Sequence, residues 1–162
     1  MPPGHEVRLT RVEVIAAHRD VAQWLEIEEG AEVVVRRREL WIESEPMQLW
    51  DAYYPAHLVA GTDLARPGFV SSGSYAALER LGHPPIRADE EITARMPDPT
   101  EAVALHISQG VPILHIVRVT RDRDNHPLFA FVIIAPGDRN AFVYADLPLV
   151  GPLGDPPTPT PL

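Results

Sequence analysis

The sequence predicts an α+β domain, a central antiparallel sheet of about six strands with helices packed on one face. Three observations carry that expectation. Six separate stretches are rich in β-branched, aromatic or alternating apolar residues. Two of the stretches between them carry helix signals, a start at Asp98-Pro99-Thr100-Glu101 and a stop at Gly82. The chain also echoes itself, with Trp24–Arg38 matched by Ala104–Arg118 at an offset of 80 residues.

The elements follow in order. Val7–Ile15 alternates charged and apolar residues and reads as the first strand, and Asp20–Glu26 as a short helix. Val33–Ile42 and Met47–Tyr54 read as a hairpin turning at Glu43-Ser44-Glu45. Ser74–Leu81 places Tyr75, Leu78 and Leu81 at spacings of three, a helix stopped by Gly82. Ile86–Arg95 is a further strand, and Pro99–His106 a helix whose Asp98 caps it, with Pro99 at its first position and Glu101 closing a capping box. Ile113–Arg121 and Leu128–Ile134 complete a second hairpin around Asp122–His126. Leu25/Leu105, Ile27/Ile107, Gly30/Gly110, Val33/Ile113 and Arg38/Arg118 share the offset, and Pro46/Pro127 and Pro55/Pro136 follow with one residue added. Two such copies predict a pseudo-two-fold domain from a duplicated unit.

Length and composition narrow the function. With 162 residues, 45% hydrophobic and 23% charged, the chain is expected to fold as one domain over 1–147. The last stretch, Pro148–Leu162, has six prolines in fifteen residues and is expected to be a disordered tail. A net charge of −9 offers no electrostatic footprint for nucleic-acid phosphates. The absence of cysteine excludes disulfides, thiolate catalysis and cysteine-held zinc. No apolar run approaches the ~20 residues that span a bilayer, and Met1–Val14 lacks the apolar core of a signal peptide. The expectation is a cytoplasmic domain with no membrane partner.

Catalytic motifs are missing. The seven histidines show no HxH or HExxH spacing, and there is no GxSxG, GxxxxGK[ST] or GxGxxG. Glu90 and Glu91 point to opposite faces of a strand and cannot share a proton. Neither metal nor cofactor is expected, and no catalytic residue is assigned. What stands out is Arg36-Arg37-Arg38: Arg36 and Arg38 share a strand face and together suit a carboxylate or phosphate. Ser71-Ser72-Gly73-Ser74-Tyr75 places hydroxyls and free backbone N–H groups at a helix start, a second anion-binding feature. Trp50 and Phe131, on equivalent strands of the two halves, offer apolar walls. The candidate ligand residues are therefore Arg36, Arg38, Trp50, Ser72, Gly73, Ser74, Tyr75 and Phe131.

Taken in order, GAEVVVRRRELWIESEPMQLWDAYYP, SSGSYAALERLG and EEITARMPDPTEAVALHISQGVPILHIVRVTRDRDNHPLFAFVIIAPGDR resemble the UTRA domain, the effector-binding module of HutC-type GntR-family transcription regulators. The resemblance runs from about Val7 to Val143. It implies a chorismate-lyase-like fold, a small-molecule pocket beside the sheet, a homodimer, and DNA binding through an N-terminal winged helix, for which the residues before Val7 are too few. It also implies, for sugar-phosphate binders, two arginines that fall here on Arg38 and Leu40, with Arg36 the only same-face substitute. Gly73 stands at the place of a phosphate-binding serine, and Trp50 and Phe131 where a polar or acidic group would meet a sugar. An anionic effector with an aromatic or apolar body fits better. The other function class is a chorismate-lyase-type enzyme, implied by fold alone.

Overall fold

A computed structural model describes residues 3–145; the proline-rich stretch 148–162 lies outside them. The strands are β1 (His5–Ala16), β2 (Glu32–Ile42), β3 (Glu45–Pro55), β4 (Arg87–Arg95), β5 (Ile113–Arg121) and β6 (Pro127–Pro136). The helices are α1 (Arg19–Leu25), α2 (Ala56–Val59), α3 (Gly73–Arg80) and α4 (Pro99–Ala104), with a 3-10 turn at Asp63–Ala65. One fully antiparallel sheet runs β1-β2-β3-β6-β5-β4. Every predicted strand and helix is present, with ends shifted by a residue or two.

The helices, however, cover both faces, not one. Val33, Val35 and Tyr53 pack with Val21, Ala22 and Leu25 of α1, with Leu105 just past α4, and with Ala130 and Val132 of β6. The alternate residues Val34, Ala52 and Tyr54 pack with Val59 of α2, Leu64 of the 3-10 turn, and Ala77 and Leu78 of α3. The reason is legible in the strands. Val33–Val35 and Ala52–Pro55 are continuous apolar runs, not alternations, and a strand buried on both faces needs cover on both.

Positions 80 apart share backbone geometry. His18 and Asp98, the residues preceding α1 and α4, both have φ −73 and ψ 168. Glu26 and His106 end those helices in the left-handed region at φ 54 and φ 51. Gly30 and Gly110, at φ 88 and φ 87, occupy a conformation that costs glycine least. The caps differ: α4 has the full capping box, Asp98 Oδ1 accepting from Glu101 N at 2.8 Å and Glu101 Oε2 accepting from Asp98 N at 2.9 Å, whereas His18 makes no side-chain cap.

Candidate functional site

Because side chains alternate along β2, its three arginines divide between the faces. Arg36 and Arg38 lie on the side of α3. Arg36 is 5% exposed, and its guanidinium donates to four main-chain carbonyls, those of Asp63, Leu64, Arg66 and Gly68, at 2.6–3.2 Å. It ties the segment after α2 to the sheet. The expected role of a free anion anchor therefore does not suit Arg36, whose two terminal nitrogens are both engaged by main-chain carbonyls.

Arg38, two residues on, is different. Its guanidinium carbon lies 5.6 Å from the ring centres of both Trp50 and Phe131. The two rings meet edge to face at 5.8 Å, because Trp50 of β3 sits one register step from the Ala52–Phe131 pair that joins β3 to β6. Trp50 is oriented by its own Nε1–H, which donates to Gln48 Oε1 at 2.6 Å. Arg38 Nε is buried and has no hydrogen-bond partner among the described residues. Burial pulls the Arg38 pKa below the ordinary guanidinium value.

A cavity of about 50 Å³ opens beside it, lined by Arg36, Arg38, Gly73 and Ser74 from the predicted set. Trp50 and Phe131 flank Arg38 and do not line that cavity, nor do Ser72 and Tyr75. Ser72 Oγ accepts from Arg80 at 2.7 Å rather than capping α3. Ser74 Oγ shares a 2.7 Å hydrogen bond with the buried Tyr54 hydroxyl, so the helix start is tied to the sheet. Tyr75 packs edge-on against Phe129. Gly73, at φ 75, takes a backbone conformation that favours glycine, although the space where a Cβ would project is open.

Sequence reasoning missed Val7, Leu9, Gly68, Phe69 and Val70, which also line the cavity. Phe69 is 88% exposed at its rim. An aromatic residue within Pro67-Gly68-Phe69, where a turn keeps it out of the core, was the available signal. No carboxylate and no histidine is among the lining residues.

Comparison with known proteins fits this geometry. The chain matches the UTRA domain over residues 4–140. It belongs to the UTRA family. An HTH-type regulator of Streptomyces coelicolor is 30% identical over 139 residues, covering 84% of this chain and 51% of that protein. The regulator GgaR of Escherichia coli K12 is 25% identical over 130 residues, 80% of this chain and 50% of GgaR. The UTRA chain thus spans about half the length of these relatives. Among solved structures, the C-terminal domain of the histidine utilization repressor of Pseudomonas syringae superposes with a TM-score of 0.74 at 26% identity, covering 86% of this chain and 96% of that one. The effector domain of PhnF from Mycobacterium smegmatis gives 0.70 at 25%, covering 87% and 88%. The fold of this UTRA domain is accordingly that of the GntR-family effector domains, chorismate-lyase-like.

Proposed function

We propose that this UTRA domain senses a small anionic effector for a GntR-type regulator of the HutC subfamily, acting as a cytoplasmic homodimer. The observation that carries the reading is Arg38: a half-desolvated guanidinium between two aromatic rings, its buried Nε unpartnered, at the mouth of a cavity. A carboxylate or phosphate there gains charge-assisted hydrogen bonds, and a flat apolar body gains contact with Trp50 and Phe131. Phe69, Val7 and Leu9 supply further apolar cover. Regulation needs only that the effector bind one arrangement of the whole protein better than another, and so shift DNA binding by a winged helix in the same polypeptide.

The test is a thermal-shift panel of aromatic and aliphatic carboxylates and phosphate monoesters, followed by calorimetry on any compound that stabilises the domain. Arg38→Ala is expected to lose roughly 1.5–3 kcal/mol of binding, the scale of a charge-assisted hydrogen bond. Undiminished affinity in a folded Arg38→Ala variant defeats the reading. The compound should be recovered chemically unchanged, since the lining holds no acid or base. At a net charge of −9, the isolated domain should show no salt-dependent DNA binding.

A further inference from the structure

The larger cavity is on the other face of the sheet. About 680 Å³ opens between the start of α1 and the start of α4, over β3, β6 and β5, a volume typical of small-molecule sites. Its floor carries Leu49, Val132 and Ile134, and Trp24, Tyr53, His18 and His115 contribute rings. Trp24 and His115 lie 6.4 Å apart, and His18 meets Tyr53 edge-on at 6.2 Å.

Charge on this face is unbalanced. Asp20, Glu39, Asp51, Asp98 and Glu101 border the cavity against the guanidinium groups of Arg37 and Arg95; Arg38 also borders it, but its guanidinium lies on the opposite face. Arg95 is fully engaged by Glu101 at 2.7 Å, and Arg37 reaches Asp51 at 3.5 Å. Glu39 Oε2 accepts from Trp41 Nε1 at 2.8 Å, and Asp98 is committed to capping α4. That leaves Asp20, which has no ion-pair or hydrogen-bond partner among the described residues, and Asp51. Asp51 Oδ2 accepts from Tyr53 at 3.1 Å, while its Oδ1 has no such partner. The half-buried His115 does not offset this charge. Burial, and then Arg95, hold its pKa below the ordinary imidazole value, so it is neutral at pH 7.

Rings, an apolar floor, the unpaired Asp20 and the unengaged Oδ1 of Asp51 together describe one kind of ligand. We propose that this cavity binds a small ammonium ion carrying a flat apolar body, its charge between Asp20 and Asp51 and its body against Trp24 and the Leu49–Ile134 floor. The site lies on the opposite face from Arg38 and is independent of the effector reading.

Calorimetry at pH 7 with benzylammonium, benzyl alcohol and benzoate tests it. Benzylammonium should bind at least ~10-fold more tightly than benzyl alcohol, the contribution of one charge-assisted contact. Benzoate should not bind in this cavity. Asp20→Asn and Asp51→Asn should each weaken benzylammonium ~5–10-fold. Asp20 is exposed on α1, so its variant keeps the test valid even where Asp51→Asn unfolds the domain. Equal binding of the alcohol, no heat with ~20 mM benzylammonium, or retention of affinity in the Asp20 variant would each overturn the proposal.

Discussion

Arg36 and Arg38 leave the same strand on the same face, yet one is enclosed by four carbonyls and the other lies between two rings with its Nε unpartnered. Identical side chains have been given two environments by what passes over them. Where the segment Asp63–Gly68 crosses the sheet, main-chain oxygens satisfy the guanidinium and the charge becomes a structural tie. One step further along β2 no backbone reaches the arginine, and the aromatic pair at Trp50 and Phe131 shields it from water without pairing it. Arg37, on the opposite face, is half-exposed and loosely paired with Asp51 at 3.5 Å and Glu13 at 3.8 Å; its Nε too has no hydrogen-bond partner among the described residues, but carboxylates stand near it instead of rings.

The contrast is sharpest in what each arginine is worth. Arg36→Ala removes donors to four carbonyls, one of them, that of Leu64, buried. It should cost about 3–4 kcal/mol of stability, since a hydrogen bond to a charged group contributes ~1.5–3 kcal/mol and the solvated partners recover part of the loss. Urea denaturation measures it, and hydrogen exchange should rise across residues 63–68. Arg36→Lys should recover little, because one ammonium has three donors and cannot span four carbonyls. A loss below ~1 kcal/mol would mean the tie is decorative. Arg38→Ala should behave in reverse, changing stability by less than ~1 kcal/mol while weakening binding of the proposed effector by roughly 1.5–3 kcal/mol. Equal behaviour of the two variants would erase the distinction.

Much of this architecture is legible in the sequence, and the reasons for the exceptions are physical. The strands show because burial imposes period two or a continuous apolar run on them, and α4 shows because a capping box needs specific side chains at fixed spacing. The two-sided helical cover is written in the continuous apolar runs Val33–Val35 and Ala52–Pro55, although the element pattern alone predicts helices on one face. The fate of Arg36 is not legible. Its partners are main-chain carbonyls 27 to 32 residues away, and a carbonyl carries no residue type to recognise. Val7 and Leu9 were equally hidden, because only the β1–β2 register, Val7 opposite Leu40 and Leu9 opposite Arg38, brings them to the cavity. Positions 80 apart match in backbone angles around α1 and α4, but their side chains differ in partners. Arg118, the counterpart of Arg38, is neutralised by Glu90 at 2.6 Å.

The two helix starts offer a smaller comparison on the same theme. Asp98 and His18 have the same φ and ψ, but only Asp98 accepts a hydrogen bond from the first turn. Asp98→Ala should cost about 1 kcal/mol, the usual value of an N-cap, whereas His18→Ala should cost a few tenths at most. Thermal denaturation of the pair decides it. Equal losses would show that α4 is held by packing and not by its cap.

The smallest effect expected concerns the faces as a whole, through the pH dependence of the side that carries His115. Burial in the cavity wall, followed by the nearby Arg95 charge, lowers the folded-state pKa of His115 below its ordinary value of 6.5. The unfolded chain therefore takes up the proton first as pH falls. The stability that His115 contributes by staying neutral is complete above its ordinary pKa and is lost as pH falls through the lower, folded value. His115→Gln, which cannot be protonated, should lie below the natural domain in melting temperature by a larger margin at pH 8 than at pH 5. Groups that titrate on the Arg38 face are common to both proteins and cancel in that difference. A margin independent of pH would show that His115 is as well hydrated as it is in the unfolded chain, and that the cavity beside it is no drier than the surface.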